Sequence, residues 1–206
     1  MRRKFLRFCS RLDGRFSAFY TWLLRSSLKS CGPGVRFHYP VRLVEPESIS
    51  FGTDCIVYPR CWINVVSEWA GQKYNGEIRM GDRVKISYEA QLSAAALIEI
   101  GDDVTLSRGV VITDHVHDYR HVDMSVLDAP LSKPMPIRIG RRSFVGAHAM
   151  IGPGVQIGEH AMVAANSVVV NDVPPYAIAV GNPARAVRFH KPEASERADI
   201  AKGQSA

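Results

Sequence analysis

From Ile139 to Val169 an aliphatic residue returns every six positions: Ile139, Val145, Ile151, Ile157, Val163 and Val169. In each of the five units the next residue is Gly or Ala, and the fifth is small or compact (Ser143, Ala149, Val155, Ala161, Ser167). A helix repeats its apolar face every 3.6 residues and a half-buried strand every 2, so a period of six predicts neither. It predicts short strands joined by tight corners. Three six-residue faces would close a triangular coil of about 18 residues, each coil stacking on the last by parallel pairing at about 4.8 Å.

The same rhythm runs upstream with interruptions. Val35, Val41 and Ile49 open it irregularly, followed by Phe51, Val57 and Ile63. It resumes at Met80, Ile86 and Leu92, slips by two residues, and restarts at Ile100, Leu106 and Ile112. Two excursions leave it, at 67–77 and 118–138, the second carrying Pro130, Pro134 and Pro136. An insertion of the second one's length in a compact repeat is usually functional or disordered. The pattern stops at Asp172-Val-Pro-Pro175, where two prolines cannot donate to a ladder, and a compact segment follows from Gly181 to Arg188. Residues 31–188 therefore form the repeat domain, and 189–206 a polar tail.

A different period governs the start. Phe5, Cys9, Leu12, Phe16, Phe19 and Leu23 recur at alternating spacings of 4 and 3, one face of a helix within residues 1–30. Gly14 should break or bend it, and Cys31-Gly-Pro-Gly34 should end it. Two roles suit this helix: a cap over the strand edges of the first coil, or a basic amphipathic helix lying on an anionic membrane with Tyr20 and Trp22 near the interface.

Charge sharpens that choice. The chain of 206 residues carries a formal net charge of +6, yet residues 1–30 hold eight Lys/Arg against Asp13 alone. The remainder has 18 basic and 19 acidic residues. A near-neutral body argues against a nucleic-acid groove and confines any electrostatic partner to the N-terminus. Cys9, Cys31, Cys55 and Cys61 lack CxxC spacing, and Cys55 and Cys61 fall on small inward positions, which predicts buried thiols in a reducing compartment. No apolar run reaches the ~18 residues of a membrane span, and Arg7, Arg11, Asp13 and Arg15 interrupt any signal-peptide core. The expected location is the cytoplasm, with membrane association through the basic helix.

The repeats, the Ile112-Thr-Asp-His-Val-His-Asp-Tyr119 segment, the long excursion, and Val168-Val-Val-Asn-Asp-Val-Pro-Pro-Tyr176 followed by Gly181-Asn-Pro-Ala-Arg185 resemble hexapeptide-repeat acyltransferases. Within them, the segments look most like sugar O-acetyltransferases of the maltose, galactoside and colanic-acid type. The resemblance implies an all-β fold, a left-handed parallel β-helix, and a homotrimer binding acetyl-CoA and acceptor in clefts between subunits. The implied reaction moves an acetyl group from acetyl-CoA to a hydroxyl of a sugar or glycan precursor, with a histidine as base and no acyl-enzyme.

An alcohol is a poor nucleophile at neutral pH, and imidazole, with an ordinary pKa of about 6.5, is suited to take its proton. His117, five residues past Ile112, matches the family's offset and is the first candidate. His115, two residues away on an extended segment, faces the same way and is the second, with His121 behind them. Asp114 and Asp118 are the candidates for orienting the imidazole, because the stretch where related enzymes carry an acid reads Ser93-Ala-Ala-Ala96. For the CoA side the resemblance implies Ala147 and Ala165 beside the pantetheine arm, Asn171 (with Val170, in place of a Thr-Lys pair) near the nucleotide, and Arg185 and Arg188 on the phosphates. Phe144 replaces the family's common tryptophan. No metal set is expected: a trimer-interface zinc site of the β-helix carbonic anhydrase kind would need other spacings than His148 and His160, 12 apart, provide. The remaining alternatives are N-acetylation of an amino sugar, acetylation of serine or an antibiotic, and a non-catalytic scaffold.

Overall fold

The computed structural model describes residues 2–190, with side chains from Gly14 onward. The expected tail beyond His190 and the apolar positions Phe5, Cys9 and Leu12 lie outside what is described. The body is a triangular parallel β-helix. Among the described residues its three faces hold six, eight and six strands, and consecutive strands in each ladder come from consecutive coils. The first face runs from Ser30–Cys31 to Gln156–Ile157, the second from Arg36–Phe37 to Met162–Val163 and then Ala177–Gly181 and Ala184–Phe189, the third from Arg42–Val44 to Val168–Val169.

Register measures each coil. Ile139 pairs with Ile157 and Val145 with Val163, each exactly three sixes further along the chain. Met80 pairs with Ile100, so the slip of two is absorbed inside one coil. Phe51 pairs with Met80 and Ile100 with Ile139, so the chain returns to the same ladder after each excursion and the stack is undisturbed. The second excursion begins earlier than expected, directly after the strand Val111–Thr113, and ends at the strand Ile137–Ile139.

The core is a column of the repeating aliphatics, with Ile63, Ile86, Leu92, Ile112 and Ile151 at 0% exposure. The fifth positions fill the corners: Ser143, Ala149, Val155, Ala161 and Ser167 are all buried. The two hydroxyls are satisfied, Ser143 donating to the Gly158 carbonyl and Ser167 accepting from the Gly181 N–H. Cys55 and Cys61 are buried as expected, and burial pushes each thiol up to about 11; Cys31 is only half-buried.

The three corners differ in chemistry. Between the first and second faces lies a charged corner, where Arg83 pairs with Asp103 at 2.6 Å and Arg141 with Glu159 at 2.7 Å. The corner between the second and third faces carries Arg60 and Arg108 on Glu89 in its earlier coils and small residues in its last ones, Gly146-Ala147 stacked beneath Ala164-Ala165; a Cβ on Gly146 would meet the Ala165 nitrogen at 2.5 Å. Both excursions leave the third corner, between the third and first faces.

The N-terminal helix, α1 (Arg2–Arg25), continues through Gly14. A glycine costs a helix only about 1 kcal/mol relative to Ala, too little to end one packed on a domain. Nor does the predicted apolar stripe make the packing face. Phe16, Phe19 and Leu23 are exposed, and Ser17, Tyr20, Thr21 and Leu24 turn inward. Thr21 Oγ1 accepts the Phe37 N–H at 2.8 Å, and Tyr20 Oη bonds both backbone groups of Val41. The helix thus caps an open edge of the first coil with hydroxyls, supplying hydrogen bonds that the coil's outermost strand lacks.

Candidate active site

At the excursion corner the carboxylate of Asp114, fully buried, gathers four donors. Oδ1 accepts the Ala95 N–H at 2.8 Å, and Oδ2 accepts those of Ala96 and Leu97 at 2.7 and 2.8 Å. These are the residues where the sixes slip, so one side chain satisfies the three N–H groups that the irregular corner turns away from the ladder. The fourth partner is His115, whose Nδ1 lies 2.7 Å from Oδ1. The His115 side chain is 11% exposed.

His117 has different surroundings. Its backbone pairs with Leu131, and Ser132 and Val116 exchange hydrogen bonds beside it, so the start and end of the long excursion zip into a ribbon. Its ring sits 5.0 Å from that of Trp69, and its Nδ1 is buried with no hydrogen-bond partner among the described residues. Asp118 serves neither imidazole: its carboxylate grips Arg120 at 2.6 Å, which holds it well below the usual carboxylate range, and His121 lies 3.7 Å away.

The shorter excursion folds into a hairpin, Glu68–Trp69 against Gln72–Lys73, and leans across the Ala94–Ala96 corner to reach the longer one. Trp69 Nε1 donates to the Ala129 carbonyl at 3.1 Å, and Tyr74 Oη accepts the Leu131 N–H at 3.1 Å. Below them, on the outer side of the third face, Asn64, Ser93 and Thr113 stand in one row; Asn64 donates to Ser93 Oγ at 2.9 Å, and Thr113 Oγ1 donates to the His115 carbonyl. The sequence names both excursions and all the histidines. It gives no sign of the Asp114 cradle or of this polar row, since both come from coil stacking.

The expected CoA-side residues do not all share this corner. Ala147 and Ala165 lie on the small-residue corner, and Arg185, paired with Val180, stands at the same corner one strand further on. Arg188, paired with Ile178, follows on that strand. Both arginines are exposed and have no acid partner among the described residues. Asn171 instead follows the strand Val168–Val169 and lies on the excursion corner, the His115 side of the third face. A full face separates His115 from Ala165, roughly 15–20 Å at 3.3 Å per residue. Among the described residues no group of three His, Cys, Asp or Glu converges as a metal set, and His148 and His160 lie on different corners.

Residues 136–171 match the sequence pattern described as bacterial transferase hexapeptide, six repeats. Hexapeptide repeats of the kind found in bacterial transferases therefore occupy this segment. It is 28% identical over 144 residues to a probable acetyltransferase of Mycobacterium tuberculosis, covering 68% of this chain and 48% of that one. It is 29% identical over 115 residues to the galactoside O-acetyltransferase of Escherichia coli, covering 56% and 55%. The chain thus spans about half the length of these relatives. Among solved structures it superposes on AntD, an N-acyltransferase from Bacillus cereus in complex with dTDP and 3-hydroxybutyryl-CoA, with TM-score 0.72 at 19% identity over 91% of this chain and 97% of that one. A maltose O-acetyltransferase from Clostridium difficile gives 0.58 at 22% over 90% and 86%. These likenesses establish the hexapeptide fold, a left-handed parallel β-helix.

Proposed function

We propose that this hexapeptide-repeat protein is an acetyltransferase that moves the acetyl group of acetyl-CoA to a sugar hydroxyl, with His115 as general base and Asp114 holding it. The observation that carries the assignment is the 2.7 Å contact between His115 Nδ1 and a fully buried Asp114 carboxylate. A carboxylate accepting Nδ1–H fixes the tautomer, leaves the Nε2 lone pair for the acceptor, and stabilises the imidazolium that forms. The acceptor hydroxyl gives its proton to Nε2 as its oxygen bonds to the thioester carbon. The C–S bond then breaks, and the proton can pass to the departing CoA sulfur. His117, first by sequence offset, lacks such a partner; we assign it with Trp69 to the acceptor-side wall.

The donor side fits an acyl carrier: Gly146, Ala147 and Ala165 present backbone without bulk, and Arg185 and Arg188 offer guanidinium groups with no acid partner among the described residues to phosphates. Because that corner and His115 stand on opposite edges of one face, a single cleft requires a neighbouring copy. A homotrimer supplies it, and the partly exposed Phe144, Met150 and Met162 on the outer sides of the second and third faces are suited to lie between copies. The trimer works on the cytoplasmic side of a membrane, which residues 1–30 contact, on a glycan precursor.

The test is release of CoA thiol with a panel of sugars, nucleotide sugars and amino sugars. His115→Ala should cut turnover by roughly 10²–10⁴, and His117→Ala by less than about tenfold. The opposite ranking would return the base to His117. An amino sugar as the only active acceptor would replace O-transfer by N-transfer.

A further inference from the structure

Most of the apolar stripe of α1 faces away from the β-helix, with Phe16 meeting a first-coil ring, that of Tyr39, edge-on at 5.6 Å. Phe19 and Trp22 are 59% and 70% exposed and stack on each other at 5.9 Å, with Phe16 and Leu23 exposed beside them. A soluble helix normally turns such a stripe to its core. Here the polar side caps the first coil, so Phe19, Trp22 and Leu23, with about half of Phe16, are left to solvent.

Cations surround the stripe. Arg15 and Arg25 lie on α1, Arg36 and Arg42 on the first coil, and none has an acid partner among the described residues. Further along the prism, Arg60, Arg79, Arg83, Arg108, Arg138 and Arg141 all pair with carboxylates. Arg185 and Arg188 at the far end of the prism also lack an acid partner among the described residues, so what sets the α1 end apart is the combination: four arginines without acid partners, against Glu45 and Glu47, beside an exposed apolar stripe. Between α1 and the first coil, Trp22, Arg25 and Arg36 line a groove of about 470 Å³, an apolar wall set against two guanidinium groups. No described helix is long and apolar enough to cross a bilayer.

We infer that α1 lies in the plane of an anionic phospholipid surface, with Phe16, Phe19, Trp22 and Leu23 entering the acyl boundary and the four arginines meeting lipid phosphates. This extends the membrane contact proposed above by naming the groups and the lipid charge, and it does not depend on the transfer chemistry. An anionic bilayer suits both features, apolar depth and phosphate charge, together. A second copy docked symmetrically on the same stripe would instead bring like guanidinium groups together.

The full-length protein is co-sedimented with vesicles of phosphatidylcholine alone, or mixed with phosphatidylglycerol, at low and high salt. It should bind the mixed vesicles, ignore phosphatidylcholine, and be released by salt. The exposed double substitution Phe19→Ser/Trp22→Ser should weaken binding by about tenfold or more without lowering turnover of a soluble acceptor. Arg15→Gln/Arg36→Gln should weaken it while keeping the residual binding less salt-sensitive. Equal binding to both vesicle types, or unchanged binding of the Ser double variant, overturns the inference. So does a change of that variant's oligomeric state in light scattering with no change in vesicle binding, which would give the stripe to a second copy. Vesicle binding that persists in an inactive His115→Ala protein keeps this inference separate from the proposed reaction.

Discussion

At the scale of single residues, Asp114 has an observed structural role and a proposed catalytic one, which one substitution confounds. In Asp114→Asn one carboxylate oxygen becomes an NH₂ group that cannot accept the N–H groups of the Ala95–Leu97 corner, so thermal stability should fall. The catalytic role has a separate signature. Without the carboxylate the imidazole loses the group that orients it, so Asp114→Asn should lower kcat by about tenfold or more while KM for acetyl-CoA stays near wild type. A kcat kept near wild type in Asp114→Asn well below its melting temperature, with stability lowered, would leave Asp114 a structural residue only. The thiols give an independent check on burial: held near 11, Cys55 and Cys61 should resist alkylation at pH 8 in the folded protein and react on unfolding, with the half-buried Cys31 reacting earlier. Inward positions such as Cys55, Ser143 and Ser167 were legible from the six-residue period alone. The carboxylate contact that favours His115 over His117 was not, because residues two apart share a face in an extended chain and that contact is made through a local turn.

At the scale of elements, the two excursions act as one structure tied at Trp69. Trp69→Ala removes its hydrogen bond to Ala129 and the packing against His117, and should raise KM for the acceptor severalfold while leaving that for acetyl-CoA near wild type. Equal effects on both substrates would mean that the hairpin only supports the fold. Ion pairs tie neighbouring coils in the same way. Arg79 and Lys29 lower Glu77 from 4.5 to about 2, and Arg108 and Arg60 do the same for Glu89. A depressed carboxylate stabilises the fold above its unfolded pKa and loses that contribution as pH falls through the folded value. Glu77→Gln should therefore melt lower than wild type at pH 7, with the gap closing between about pH 4.5 and 2. The lengths of both excursions could be read from the sequence by what they add to a coil of three sixes. Their mutual docking, and the turn of α1 that hides its polar side, could not: hydrophobic periodicity finds a stripe but does not say whether the stripe or the hydroxyls opposite will meet the first coil's unpaired backbone.

At the scale of the whole molecule, a rigid prism sets the residues proposed for the donor side and for the base on different corners. Hence the central claim that each cleft is shared by two copies, one supplying His115 and the other the Ala147–Ala165 corner with Arg185. Mixing two inactive variants tests it. His115→Ala lacks the base, and Ala165→Trp, at an exposed position, fills the donor corner while keeping His115. After dissociation and co-assembly, about a quarter of the clefts in random trimers pair an intact base with an intact donor corner. Turnover should return to about that fraction of wild type, whereas mixed trimers that stay as inactive as the separate variants would contradict the shared cleft.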